Sequence, residues 1–388
     1  MTSRSSGPRA NADMRSLHSL FDRLAGCGAT PGGGVERQCA TAADGAARDV
    51  FEAALKSAGA ETRTDVIGNQ FGVFRLAGCE DAPLVMIGSH LDSQPKGGRF
   101  DGALGVAAAV CVGEALSATD DAGVTLAEAL NAIGRHGTDR PPSLPACYLE
   151  LHVEQGVSLE TAGATIGVVT RNWGATKFDV VFQGEQAHTG PCPMPLRRDA
   201  LLAASYLIVD ARAIADRWPG VVHTSVGRLV VSPNSANVVP SETQLSLEIR
   251  SNDDGVLAQA SALADQAIAK AAARANVTVA AVTRTERAIR TLPASVCDLV
   301  EDCSAAAGCK SLRLDTVAGH DAISLLGHCP TGLVFVPSVG GVAHNEGELT
   351  SKADVEAGFR VCLEAASRLC RSGGSPERAL RLAREVAA

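Results

Sequence analysis

Two residues define the chemistry to look for: His90 and Asp101, eleven positions apart in Gly88-Ser89-His90-Leu91-Asp92-Ser93 running on through Gly97-Gly98-Arg99-Phe100-Asp101-Gly102. A histidine and a carboxylate on either side of a turn suit a hydrolytic metal site, because imidazole and carboxylate are good ligands for Zn²⁺, Mn²⁺, Co²⁺ or Ni²⁺. Two further histidines fall at turns or strand ends. His152 is followed by Glu154 and Gln155, and His344 by Asn345 and Glu346. Asp92, two residues past His90, can orient that ring, since ligating histidines commonly hand their second N–H to an acceptor. Any one of these side chains alone would read as a core or surface residue. Together, each beside a glycine or a polar partner, they form a candidate ligand set of His90, Asp101, His152 and His344.

The elements that must position them follow from hydrophobic periodicity. Leu17, Leu20, Phe21 and Leu24, then Val50, Phe51, Ala54 and Leu55, predict helices over 14–25 and 46–58. Val66 and 71–76, separated by Gly68-Asn69, predict a hairpin. An apolar run over 83–88 ends where His90 begins, placing His90 and Asp92 at a strand's C-terminal end. The Ala- and Val-rich stretch 101–117 predicts a helix, and a short helical piece is expected over 126–133. A buried strand over 147–153 carries His152, with Glu150 and Glu154 on the same face if it extends that far. Strands over 178–182, 225–231, 244–250 and 277–282 with helices over 196–217 and 256–273 make a four-stranded sheet with two helices on one face. The chain then returns to helix 295–307, strand 332–336 and helix 353–369. The expected fold is α/β: a larger metal-binding domain with a mostly parallel central sheet (1–172 and 291–388), interrupted by a smaller α+β domain (173–290).

Composition narrows the function classes. With 388 residues, 46 % hydrophobic and 20 % charged, the chain can bury two cores, and its net charge of −8 without a basic run argues against nucleic acid or an anionic membrane as partner. The twelve cysteines are scattered, with no Cys-x-x-Cys pair, and read as reduced core thiols. Residues 1–12 lack an apolar segment and no apolar run reaches spanning length, so a cytoplasmic protein is expected.

The motifs G-S-H-L-D-S-Q-P-K-G-G-R-F-D-G (88–102), L-H-V-E-Q-G (151–156), G-E-Q-A-H-T-G-P-C-P-M (184–194), N-V-V-P (237–240), L-E-I-R-S (247–251), G-H-D-A (319–322) and G-V-A-H-N-E-G-E (341–348) resemble, in order and spacing, those of the hydantoinase/carbamoylase amidases. That group of the dinuclear metallopeptidase–aminoacylase clan includes N-carbamoyl-L-amino-acid hydrolases, β-ureidopropionases and allantoate amidohydrolases. The resemblance implies that His90, Asp101, His152 and His344 ligate metal, with Asp101 bridging two ions and Asp92 behind His90. It implies that Gln155, Asn237 and Arg250 hold a substrate carboxylate and that His188 stabilises the oxyanion. It also implies a homodimer through the inserted domain, whose residues serve the partner's site.

The chain departs from the family pattern in one place. Family members carry an Asn-Glu-Glu-Gly type strand end and a long loop between the helix after Asp101 and the segment of His152. Here no Glu-Glu pair stands there, and about forty residues are missing against the usual length of a crossover strand and its loop. The first glutamate would be the general base and the second a ligand of one ion. One fully liganded site, His90/Asp101/His152, is therefore expected, with Glu154 the best placed substitute base and Glu150 and Glu114 behind it. Two functions are expected in order: a metal-dependent amidohydrolase acting on a small carboxylated ureido or amide substrate, or a weakened or silent dimeric homologue that binds such a ligand.

Overall fold

A computed structural model describes residues 14–65, 68–74, 84–116 and 145–387. The chain divides into two compact units, Met1–Thr170 with Leu292–Ala388, and Arg171–Thr291. The described elements begin with α1 (Met14–Gly26), α2 (Ala42–Ser57), β1 (Glu61–Thr64), β2 (Gln70–Val73), β3 (Val85–Ile87), α3 (Ala103–Leu116), β4 (Cys147–Val153), α4 (Ser158–Ala162) and β5 (Ile166–Asn172). They continue with β6 (Gly174–Gln183), β7 (Ala187–His188), α5 (Ala200–Ala215), β8 (Val222–Ser232), β9 (Val238–Val239), β10 (Glu242–Ser251), α6 (Asp254–Arg274) and β11 (Thr278–Arg287). The chain closes with α7 (Ala294–Ala306), β12 (Ser311–Thr316), α8 (Asp321–Leu325), β13 (Thr331–Val336), α9 (Lys352–Arg371) and α10 (Pro376–Ala387).

The first unit is built on a five-stranded sheet in the order β12-β5-β13-β4-β3. β3 and β13 both pair with β4 in parallel, and β5 runs antiparallel to β13, so the sheet is parallel where it carries the site and mixed beyond it. Every residue of β4 and β13 is buried, as expected for parallel strands covered on both faces. Leu17, Leu20, Phe21 and Leu24 of α1 repeat at helical spacing and join the same core as Leu149, Leu151 and Phe335.

The second unit is a four-stranded antiparallel sheet, β11-β6-β10-β8. Burial alternates along β10, and its inward residues Leu245, Leu247 and Ile249 share a core with Phe178 and Phe182 and with the alanine-rich faces of α5 and α6. Burying each of these large side chains is worth about 1.5–3 kcal/mol. The helix starts are fixed locally: the carboxylates of Asp199 and Asp253 accept the N–H groups of Leu202 and Val256.

Several expectations shift. The N-terminal hairpin pairs Glu61–Thr64 with Gln70–Val73, while Val66 and residues 75–76 of the expected arms lie outside the described residues. The arm Glu61–Thr64 is largely exposed, and without a buried face it carries no apolar alternation to read. The strands β5 and β12 and the two-residue strands β7 and β9 were not expected. The helical piece over 126–133 lies outside the described residues. The described cysteines are free thiols, Cys297 and Cys303 buried and Cys309 partly so. No helix among the described residues is long and apolar enough to cross a membrane.

Candidate metal centre

Three parallel strands deliver three histidines to one edge of the first sheet. β3 ends three residues before His90, β4 contains His152 as its penultimate residue, and β13 ends eight residues before His344. Strand C-terminal ends are where open α/β sheets bind ligands, because the chain leaves the sheet there in turns that can converge. Asp101 comes from the turn that opens α3. Gly102, at φ +67°, lets this turn lie against His90: a Cβ there would stand 2.4 Å from the His90 carbonyl oxygen.

Asp101 is the centre of the cluster. Its Oδ1 lies 3.2 Å from His152 Nε2 and 3.7 Å from His90 Nε2, and its Oδ2 lies 3.5 Å from His344 Nε2. Burial raises the carboxyl pKa of Asp101, but the imidazoles of His152, His90 and His344 outweigh it and hold it below the ordinary value. The ligand atoms of His90, Asp101 and His152 all lie within 4.8 Å of one another, a geometry and donor set that a divalent ion can bridge.

The ring orientations are set by backbone. His90 Nδ1 lies 3.1 Å from the carbonyl of Asp92, and His152 Nδ1 lies 2.9 Å from the carbonyl of Val153. A carbonyl only accepts, so each Nδ1 carries the proton and each Nε2 is the nitrogen presented toward Asp101. Asp92 adds its own carboxylate 3.5 Å from His90 Nδ1. Gln155 donates from Nε2 to Asp101 Oδ1 at 3.3 Å. Gln155 and His344 both adopt the left-handed backbone region, at φ 60° and 51°, a local strain that clusters here at the site.

β4 ends at Val153, so Glu154 leaves the face of His152, and its two oxygens accept the N–H groups of Ser158 and Leu159 at the start of α4. It caps the start of α4 through both oxygens. Glu150 is fully buried; its oxygens accept from Ser89 Oγ and from the N–H of Ala322, tying the His90 turn and α8 to β4. Glu150, His152 and His320 also bring ligand atoms within 4.8 Å of one another, but in this second cluster the Glu150 oxygens already serve those two donors. Glu114 is exposed in the last turn of α3.

Glu348 went unnoticed in the sequence. Its Oε1 accepts the backbone N–H groups of Phe100 and Asp101, at 3.2 and 3.1 Å, and its buried Oε2 has no hydrogen-bond partner among the described residues. Burial and the charge of Asp101 push its carboxyl up to about 7. A Cβ at Gly98 would stand 2.2 Å from this carboxyl group, so Gly98 makes its room. The only sequence signal was its place four residues past His344 in the same motif.

In the second unit, β7 pairs with β9, setting His188 opposite Val238, and Thr189 donates to the carbonyl of Asn237. His188 and Asn237 are thereby neighbours. The N–H of Gly190 donates to His188 Nδ1 at 3.0 Å, so the neutral ring carries its proton on Nε2 and can donate from there. Arg250, near the end of β10, meets Glu248 at 3.0 Å.

No family model matches the chain. It is 37% identical over 413 residues to a hydrolase of Mycolicibacterium smegmatis, covering 92% of this chain and 93% of that protein. It is 33% identical over 391 residues to an N-carbamoyl-L-amino acid amidohydrolase of Geobacillus stearothermophilus, covering 86% and 93%. An amidase of the hydantoinase/carbamoylase family from Burkholderia vietnamiensis superposes with a TM-score of 0.82 at 33% identity, covering 94% of this chain and 98% of that one. Fold and site together define a hydrolase of carbon–nitrogen bonds other than peptide bonds. The chain belongs to the hydantoinase/carbamoylase family of amidases.

Proposed function

We propose that this chain is a metal-dependent amidohydrolase that cleaves a small carboxylated ureido or amide substrate of the N-carbamoyl amino acid, ureidopropionate or allantoate type. The observation that carries this reading is the convergence of His90, Asp101 and His152, with both imidazole Nε2 atoms directed at one carboxylate. Two imidazoles and a carboxylate fit Zn²⁺, Mn²⁺, Co²⁺ or Ni²⁺, and three protein ligands leave a position open. A divalent ion bound there supplies Lewis-acid polarisation of a carbonyl and acidification of water.

The chain's own residues do the remaining work. Gln155 of one protomer, with Arg250 and Asn237 of the other, holds the substrate carboxylate, fixing the position of the scissile bond. His188 donates from Nε2 to the oxyanion. The segment 173–290 serves as lid and dimerisation domain to 1–172 with 291–388, and the protein is a homodimer. Among the described residues, His344 and Asp101 give a second ion two protein ligands, so one ion per chain is held tightly.

A general base is commonly worth about 10²–10⁴ in rate, so turnover below that of relatives with the Glu-Glu pair is expected. The rival reading, a silent dimeric homologue that binds a carboxylated ligand, draws on that absent pair alone. Ammonia and free amino acid release from N-carbamoyl amino acids, ureidopropionate and allantoate, with each metal and with chelator, tests the choice. No release above the chelated control would replace the first reading by the second.

A further inference from the structure

One face of the four-stranded sheet carries a row that spans all four strands and holds two arginines. Arg250 of β10 and Arg287 of β11 both pair with Ala175 of β6, and His223 of β8 pairs with Arg250. Residues directly opposite across a ladder project to the same face, so His223, Arg250, Ala175 and Arg287 form one row in that order. The row faces away from the helices. Its neighbours Thr176 and Ile249 point the other way, Thr176 meeting Ser261 of α6 and Ile249 lying in the core.

The two arginine backbones are therefore two strand spacings apart, about 10 Å, with Ala175 on the strand between them, and Arg287 Nη2 donates to the Trp173 carbonyl at 3.5 Å. Two long guanidinium side chains flank an alanine floor. The adjacent row supplies one carboxylate, Glu248, which meets both Arg250 at 3.0 Å and Lys177 at 3.6 Å. Positive charge thus exceeds negative charge along these two rows. The arginines also sense each other: burial first, then the charge of Arg250, lowers the Arg287 pKa. Like charges held half-buried side by side cost free energy that an anion between them recovers.

We propose that Arg287 is a second carboxylate-binding arginine and that the Arg250–Ala175–Arg287 row selects a ureido acid with two carboxylates, one for each guanidinium. The assignment rests on the reading that Arg250 holds the substrate's carboxylate, and it goes beyond that reading by naming an N-carbamoyl amino acid with an acidic side chain. The guanidinium fork matches a carboxylate in two parallel hydrogen bonds, so each arginine rewards a carboxylate more than the neutral amide of the same shape.

The test compares ligands that differ by one charge: N-carbamoyl-L-aspartate against N-carbamoyl-L-asparagine, and the glutamate against the glutamine compound. Isothermal titration of the metal-loaded full-length protein should show the dicarboxylates binding tighter by about tenfold or more, a clear margin on the affinity scale. Arg287→Gln should collapse that ratio toward one, and Arg287→Lys should retain part of it, with thermal melts reporting whether each variant is folded. Equal binding of acid and amide by the unaltered protein, no binding of either, or an Arg287→Gln variant that weakens both alike while keeping the ratio, would overturn the proposal. Ammonia release measured in parallel separates it from the wider reading. Preferential dicarboxylate binding without release sinks the amidohydrolase and keeps Arg287, whereas release from both compounds without preference does the reverse.

Discussion

The carboxylate of Glu348 accepts the backbone N–H of Asp101, so the loop that carries His344 also fixes the residue that His344 faces. One side chain thereby couples two parts of the site that lie 247 positions apart in the chain.

Replacing Glu348 should separate shape from charge. Glu348→Ala leaves the N–H groups of Phe100 and Asp101 without their acceptor, each at about 1–3 kcal/mol. A lower melting temperature and weaker metal affinity in chelator competition are expected. Glu348→Gln keeps an acceptor oxygen in place and should restore most of both. A Gln variant as impaired as the Ala variant would show that the charge, and not the clamp, is what matters.

The metal-free site should compete for protons. Burial disfavours the charged His90 ring, but the hydrogen bond to Asp92 and the charge of Asp101 outweigh it and raise its pKa from 6.5 to about 9. A folded-state pKa above the unfolded value stabilises fully below pH 6.5, and that stabilisation is lost as pH rises through about 9. The melting temperature of the metal-free protein should fall across this window. Ion binding near pH 7 should release a proton from His90. Calorimetry in buffers of different ionisation enthalpy reads it directly, and identical heats in all buffers at pH 7 would exclude it.

Gly102→Ala should dismantle the His90 side of the centre. The new Cβ meets the His90 carbonyl oxygen and ring, and φ +67° suits no β-carbon. The strained backbone alone costs about 1–3 kcal/mol. Metal content after dialysis should drop well below that of the unaltered protein, and full retention would show that the turn can yield.

Histidine replacements should differ in their effect on ion count. His152 is buried against Asp101 Oδ1, whereas His344 is more than half exposed and faces Oδ2. His152→Ala should abolish tight binding, and His344→Ala should leave about one ion per chain, since three ligands hold an ion and two hold it weakly. Mass-spectrometric metal analysis finding two tightly held ions in the unaltered protein would reject this asymmetry.

Much of the frame was legible before folding. The helices of both units announce themselves through apolar periodicity, because one buried face imposes a repeat on nearby residues, while the strand over 147–153, buried on both faces, reads as a short, mostly apolar run. β1 and β12 escaped because neither has a continuously buried face: β1 is Glu-Thr-Arg-Thr with no apolar residue, and β12 sets Leu312 and Leu314 among polar and charged ones. Strand alternation could place Glu154 beside His152 only if the strand ran one residue further than Val153, and the capping of α4 by Glu154 is set by residues beyond the strand.

The sequence by itself determined the donor types of the centre and their order along the chain, since His90, Asp101, His152 and His344 each sit in a short local motif at the end of an element. Tertiary structure alone decided which nitrogen each ring presents, that Glu150 and Glu154 are committed to structural donors, that Glu348 closes on Asp101, and that Arg287 stands across Ala175 from Arg250. These relationships arise from strand pairing and burial between distant segments. Such contacts leave no periodicity in either partner, so no local reading can contain them.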